Sequence, residues 1–171
     1  MKMFRILSIL LVLAISGCDR EAPPVNVASA TEAGLEVRFP VQVGSCATKL
    51  RVAATELEKS QGLMGVAQLS DGEGMAFMYV APQRMNFWMK DTLLNLDIAF
   101  VRGDGTIDEI RTMEAGDTRD TYSRSDQVSF TIEMSAGWFA RAGVKSGDKV
   151  NLSDLKKALS ARGFISDRYL K

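Results

Sequence analysis

Histidine is absent from this 171-residue chain, and that absence removes a large part of familiar enzyme chemistry. Without imidazole there is no Ser-His-Asp triad, no Cys-His pair and no histidine metal ligand. Cysteine is scarce: Cys18 and Cys46 are the only two, so a disulfide-stapled scaffold is excluded. Neither sign of charge dominates, with 21 basic against 21 acidic residues and no run of like charges. The electrostatic footprint of a nucleic-acid binder is therefore missing, and no nucleic-acid partner is expected. The predominantly apolar stretch Ile6–Ile15, interrupted only by Ser8, has ten residues, well short of the roughly 20 needed to span a bilayer. No Gly-rich phosphate-cradling motif precedes a helix, and there is no internal repeat. No cofactor is expected.

What is present begins at the N-terminus. Lys2 and Arg5 form a short positive region ahead of Ile6–Ile15, the order expected of a secretory signal. Ile15-Ser16-Gly17-Cys18 then resembles the bacterial lipobox, in which small residues precede a cysteine that is alkylated with a diacylglyceryl group. With a further acyl chain on the freed amine, the anchor is stable where a single chain would be marginal. Cys18 is the expected lipidation site and residues 1–17 the cleaved signal. Removing Lys2 and Arg5 leaves 19 basic and 21 acidic residues in the mature chain. Asp19 after the modified cysteine resembles an inner-membrane retention signal, which favours the periplasmic face of the inner membrane.

Residues 18–34 contain Pro23 and Pro24 and no apolar periodicity, and read as a flexible tether reaching on the order of 20–25 Å. Residues 35–171 read as one domain, and with 46% hydrophobic residues the chain can bury a sizeable core. Val37, Phe39, Val41 and Val43 alternate with polar or small residues as in a half-buried strand. Further strands are expected at 50–53, 75–80, 86–90, 96–102, 106–112, 127–134 and 149–152, with a hairpin turn at Gly103-Asp104-Gly105. Short helices are expected from Glu56, from Ser135 to Ala142, and over 153–162 with Ser153 as its cap. Residues 114–124 read as an exposed loop. The fold class is mainly β with a few short helices, a sandwich or barrel in a single domain.

Several motifs stand in order along the domain. They are Gln61-Gly62-Leu63-Met64, Gly74-Met75-Ala76-Phe77, Phe87-Trp88-Met89-Lys90-Asp91-Thr92 and Leu96-Asp97-Ile98-Ala99-Phe100. Glu133, Gly137 and Gly147-Asp148 close the series. In this pattern the chain resembles the DUF192 family across roughly residues 35–152. The family usually has Asn where this chain has Asp91, Pro where it has Asn95, and Arg where it has Val66. The resemblance implies a compact, jelly-roll-like β fold and no defined reaction.

The block Asn86–Asp97 is the richest in chemistry. Read as a strand, Asn86–Lys90 puts Trp88 and Lys90 on one face, with Asp91 and Thr92 at its end and Asp97 opening the next strand. An aromatic platform, an amine and carboxylates meeting there would suit a polar ligand. A tight turn held by Lys90 with Asp91 or Asp97, and Trp88 in the core, is the structural alternative. Glu133 lies on the strand face opposite Phe130, Ile132 and Met134, either solvated outside or placed beside Lys90 across the sheet. In that second arrangement Glu133 and Asp97 could act as a carboxylate pair on a glycoside. Cys46 reads as a small core residue rather than a nucleophile. Asp71-Gly72-Glu73-Gly74 reads as an acidic turn without the spaced ligands of a calcium loop. Met75, Met78, Met85 and Met89 read as core filler rather than a copper site, so no metal site is expected.

The leading expectation is a non-enzymatic, membrane-tethered envelope protein that binds a polar small molecule or an envelope-protein partner through Trp88, Lys90, Asp91, Asp97 and Glu133. The alternatives are a carboxylate-based hydrolase of envelope glycans and a structural or assembly protein, for which a large exposed apolar patch would be the mark.

Overall fold

Gly44, at φ 59, and Ser45 turn the chain between its first two strands, because glycine enters the left-handed region without a Cβ clash. The resulting hairpin pairs β1 (Phe39–Val43) with β2 (Cys46–Ala53). The computed structural model describes residues 33–171, so the stretches expected to be the signal, the lipobox and most of the tether lie outside the described residues. After β2 come α1 (Glu56–Gln61), β3 (Glu73–Gln83), β4 (Asn86–Phe87), β5 (Leu96–Arg102) and β6 (Ile107–Met113). β7 (Thr121–Tyr122), β8 (Val128–Ser135), α2 (Trp138–Arg141) and α3 (Leu152–Ala161) complete the series.

The fold is mainly β, in a single domain. Six strands form one sheet in the order β1-β2-β3-β8-β5-β6, and β4 and β7 form a separate two-stranded ribbon. All neighbours in the large sheet are antiparallel except β2 and β3. The sheet curls without closing. Its edge strands do not pair, but Val150 bridges to Val43 and Lys149 to Thr106 at one end. Backbone bonds from Gly44 to Lys149 and from Val150 to Gly105 reinforce the bridge.

Each face of the sheet is covered, so the core falls into two clusters. On one face Val52, Ala76, Ile132, Ala99 and Phe130 pack against Trp138 and Phe139 of α2 and Leu155 and Leu159 of α3. On the other, Ala53, Met75, Phe77, Ile98 and Phe100 pack beneath Leu63, Met85 and Met89. Met78 joins the first cluster, and Met75, Met85 and Met89 the second, which places all four as core filler. Cys46 is half-buried on β2 and its thiol donates to the Ala142 carbonyl at 3.4 Å.

Several local expectations change. The strand expected at 149–152 is reduced to single bridges at Lys149 and Val150, since α3 begins at Leu152, and the helix expected from Ser135 to Ala142 is confined to Trp138–Arg141. The strand expected at 86–90 shortens to two residues, because Met85 and Met89 turn into the core and the Met89 N–H bonds Asp117 rather than a ladder partner. Its partner β7 lies inside the stretch expected to be loop. The last helix is capped by Asn151, whose side chain accepts from the N–H groups of Ser153 and Asp154, and not by Ser153. α1 shows the reciprocal bonds of a capping box between Thr55 and Glu58.

Candidate functional site

β8 is an inner strand, flanked by β3 and β5. Its register sets Glu133 opposite Met75 on one side and Ile98 on the other, and Thr131 opposite Phe77 and Phe100. Paired residues in a sheet project to the same face, so Glu133 and Thr131 enter the second, methionine-rich cluster. Glu133 is only 4% exposed. The expected alternation is observed, but the expected solvated glutamate is not, because the segments around Leu63 and Met85–Met89 cover that face. Lys90 is exposed on the surface and is not an ion-pair partner of the buried carboxyl group.

Burial is the cause acting on the Glu133 carboxyl group, and it pushes the pKa up to about 8. Among the described residues no hydrogen bond or ion pair reaches this carboxyl. The Thr131 hydroxyl, on the same strand face, is also buried without a partner among the described residues. Buried polar groups are normally satisfied, and orphaned ones call for a physical explanation.

Above Glu133 lies a small cavity of about 30 Å³. Its walls are the turn after α1, from Lys59 through Met64, and the aromatic residues Phe77, Phe87 and Trp88, with Thr92 beside them. Two glycines make this geometry possible. Gly62, at φ 48, would bring a Cβ to 3.4 Å from the Phe77 ring, and a side chain at Gly74 would strike the Glu133 carbonyl. Phe77 and Phe87 meet edge to face with centroids 5.2 Å apart, a contact worth about 0.5–1.5 kcal/mol beyond burial. Lys59 stands at the rim with its ammonium 2.6 Å from Glu56 and 4.2 Å from the Tyr79 ring centroid. The Tyr79 phenol is raised above its ordinary range, first by burial and then by the charges of Glu56 and Glu133.

The structure separates the other expected site residues by role. Trp88 and Lys90 do come together, with the Lys90 ammonium 5.6 Å from the Trp88 ring centroid, but on a turn rather than a strand. Trp88 is half-exposed, and Thr92 turns inward to the cavity. Among the described residues Asp91 is the one non-glycine residue of positive φ, at 54°, and its carbonyl accepts from the Gly65 N–H. Asn and Asp tolerate that conformation better than other residues with side chains, so the exchange of the family's Asn for Asp91 keeps the turn. Val66, where the family pattern has Arg, packs half-buried against the second cluster.

Asp97 is a correction. It is buried and accepts from the Thr112 hydroxyl at 2.7 Å and the Gly137 N–H at 2.8 Å, which ties β5 to β6 and to the turn before α2. Its register partner is Met134, whereas that of Glu133 is Ile98. The two carboxylates therefore project from opposite faces of the sheet and do not form the pair that glycoside hydrolysis requires.

Sequence reasoning passed over Phe77, Phe87, Lys59 and the Gly62–Met64 wall as site residues. Most of these lie inside the motifs that carried the family resemblance, so the signal was present. What it lacked was the register that brings those motifs over β8. Among the described residues no three Cys, Asp or Glu side chains converge in metal-binding geometry.

Comparison with known proteins agrees with this architecture. The model of the DUF192 family, described as "Uncharacterized ACR", matches residues 39–152. A protein of unknown function from Novosphingobium aromaticivorans DSM 12444 is similar over 71% of this chain and 95% of its own, with 30% identity and a TM-score of 0.64. A candidate transcription regulator from Sinorhizobium meliloti 1021 is similar over 67% of this chain and 93% of its own, with 28% identity and a TM-score of 0.65. No curated protein matches the chain.

Proposed function

This chain belongs to the DUF192 family, and from that premise we propose that it is a lipid-anchored envelope protein whose β domain binds a small ligand in the cavity over Glu133. One observation carries the binding reading: a carboxyl group more than nine-tenths buried, without a partner among the described residues, lines an open cavity. Burial disfavours the ionised form of this carboxyl, and a ligand that bonds to it offsets that cost. The cavity, about 30 Å³, is far smaller than the roughly 300–1,000 Å³ of ligand pockets, so only a small group at the tip of a ligand enters it. A binding role fits better than hydrolysis, because Asp97 is committed to Thr112 and Gly137 on the far face.

The anchor reading rests on Lys2, Arg5, the apolar run and Ile15–Cys18. Acylated Cys18 would hold the domain at the periplasmic face of a membrane, with Asp19 favouring the inner one. Among the described residues no helix is long and apolar enough to cross a bilayer. Metabolic labelling with radioactive palmitate tests the anchor: label in wild type and none in Cys18→Ala is expected, and equal label in both refutes it.

Thermal shift of the chain against a panel of small amines, alcohols, organic acids and sugars tests the pocket. The variant for comparison is Trp88→Ala, which alters an exposed wall residue and leaves the core intact. A compound that raises the melting temperature of wild type but not of the variant supports the reading. Stabilisation that is equal in both places the binding elsewhere.

A further inference from the structure

We propose that the ligand held against Glu133 is a small organic ammonium ion, a proposal that rests on reading the cavity as a ligand site. The argument is one of donors and acceptors. The carboxyl group of Glu133 offers acceptors that nothing among the described residues uses, and Phe77, Phe87 and Trp88 present aromatic rings around the same space. Donors are scarce there. The Ser60 and Thr92 hydroxyls give their hydrogens to the carbonyls of Leu57 and Lys90, which leaves their lone pairs free. Lys59 is held by Glu56 and covers Tyr79. Gln61, at the exposed mouth, is the remaining side-chain amide.

An anionic ligand would meet the Glu133 carboxyl, and the one lysine lining the cavity, Lys59, is already held by Glu56. An ammonium ion supplies donors itself, satisfies the carboxylate, and gains from the negative faces of the rings. The neighbouring strands do not compensate Glu133 first. In its row across the sheet, Arg51 pairs with Glu36 at 3.0 Å and Arg111 with Glu109 at 3.0 Å. Lys90 lies outside, against Trp88.

The proposal includes a proton. Burial favours the neutral acid form of Glu133 at neutral pH. An arriving ammonium ion requires the carboxylate, so one proton leaves Glu133 for solvent as the ion pair forms. Affinity then follows the ionised fraction and rises about fifty-fold from pH 6 to pH 8.

Isothermal titration calorimetry of the full chain in nonionic detergent tests this with n-butylammonium chloride and the uncharged alcohol 1-pentanol, which is one methylene longer. The expected result is n-butylammonium binding that tightens with pH, at least tenfold stronger than 1-pentanol at pH 8. Glu133→Gln should abolish that preference. Repeating the wild-type titration at pH 7 in buffers of different ionisation enthalpy should count close to one proton released, a readout that stands even if the variant does not fold. Tighter binding of 1-pentanol, or no proton release, overturns the ammonium assignment and leaves the pocket intact. Binding of neither probe, with no compound in the thermal-shift panel acting through Trp88, overturns both.

Discussion

Replacing Glu133 by Gln should make the domain more stable at neutral pH than at pH 5, relative to wild type. The side chain keeps its shape and loses its ability to ionise. In the native protein burial raises the Glu133 pKa from 4.5 to about 8, so the folded state favours the neutral acid while the unfolded chain ionises freely. The associated stability is fully present below pH 4.5 and is lost as pH rises toward 8. The slope in that window is about 1.4 kcal/mol per pH unit. Between pH 5 and pH 7 the wild type should therefore lose about 2–3 kcal/mol that the Gln variant keeps. Guanidinium unfolding of both proteins at pH 5, 6 and 7 measures the difference from the midpoints. The window also avoids Glu58, whose pKa is lowered to about 2 and which acts below pH 4.5. Parallel pH dependence in the two proteins would refute the reasoning, since it would mean that Glu133 is paired or hydrated in the folded state.

Other perturbations probe the frame around the site. Asp97→Ala strands the Thr112 hydroxyl and the Gly137 N–H, and should cost about 2–4 kcal/mol in urea unfolding; a loss near zero would remove its structural role. Asp91→Asn should be nearly neutral, whereas Asp91→Val should cost about 1–2 kcal/mol at a positive φ, as read from melting temperatures. For Glu58, burial opposes ionisation, but the Arg162 guanidinium and the N–H groups of Thr55 and Ala54 overcome it. That stability is present above pH 4.5 and lost as pH falls toward 2, and Arg162→Ala should flatten the acid limb of the stability curve.

Much of the fold was legible because local patterns carry it. β5 occupies Leu96–Arg102 as its apolar run requires, and the Gly103–Gly105 turn leads into β6 as expected. The resemblance to DUF192 also held, and its motifs line the cavity. What could not be read was long-range register. Strand alternation placed Glu133 correctly away from Phe130 and Ile132, but alternation does not tell whether the second face meets water or another layer. That depends on the segments around Leu63 and Met85–Met89 folding over an inner strand. The same limit applied to Asp97 and Glu133, whose opposite orientation follows from a one-residue offset in the β5–β8 ladder. The Trp88–Lys90 pairing was legible, since residues two apart meet on a turn as well as on a strand. The inward path of Thr92 and the left-handed Asp91 were not, because they arise where the chain leaves the ribbon.

The two tryptophans offer the most direct test of the ligand pocket. Trp88 forms a wall of the cavity over Glu133, whereas Trp138 belongs to the core cluster on the opposite face of the sheet. A ¹⁵N spectrum of the indole N–H groups, recorded while small molecules are titrated into the full chain, reports on the two separately. The account predicts that compounds which bind move the Trp88 signal and leave Trp138 in place, and that Glu133→Gln weakens the response. Compounds that bind and shift only Trp138, or neither indole, would contradict it.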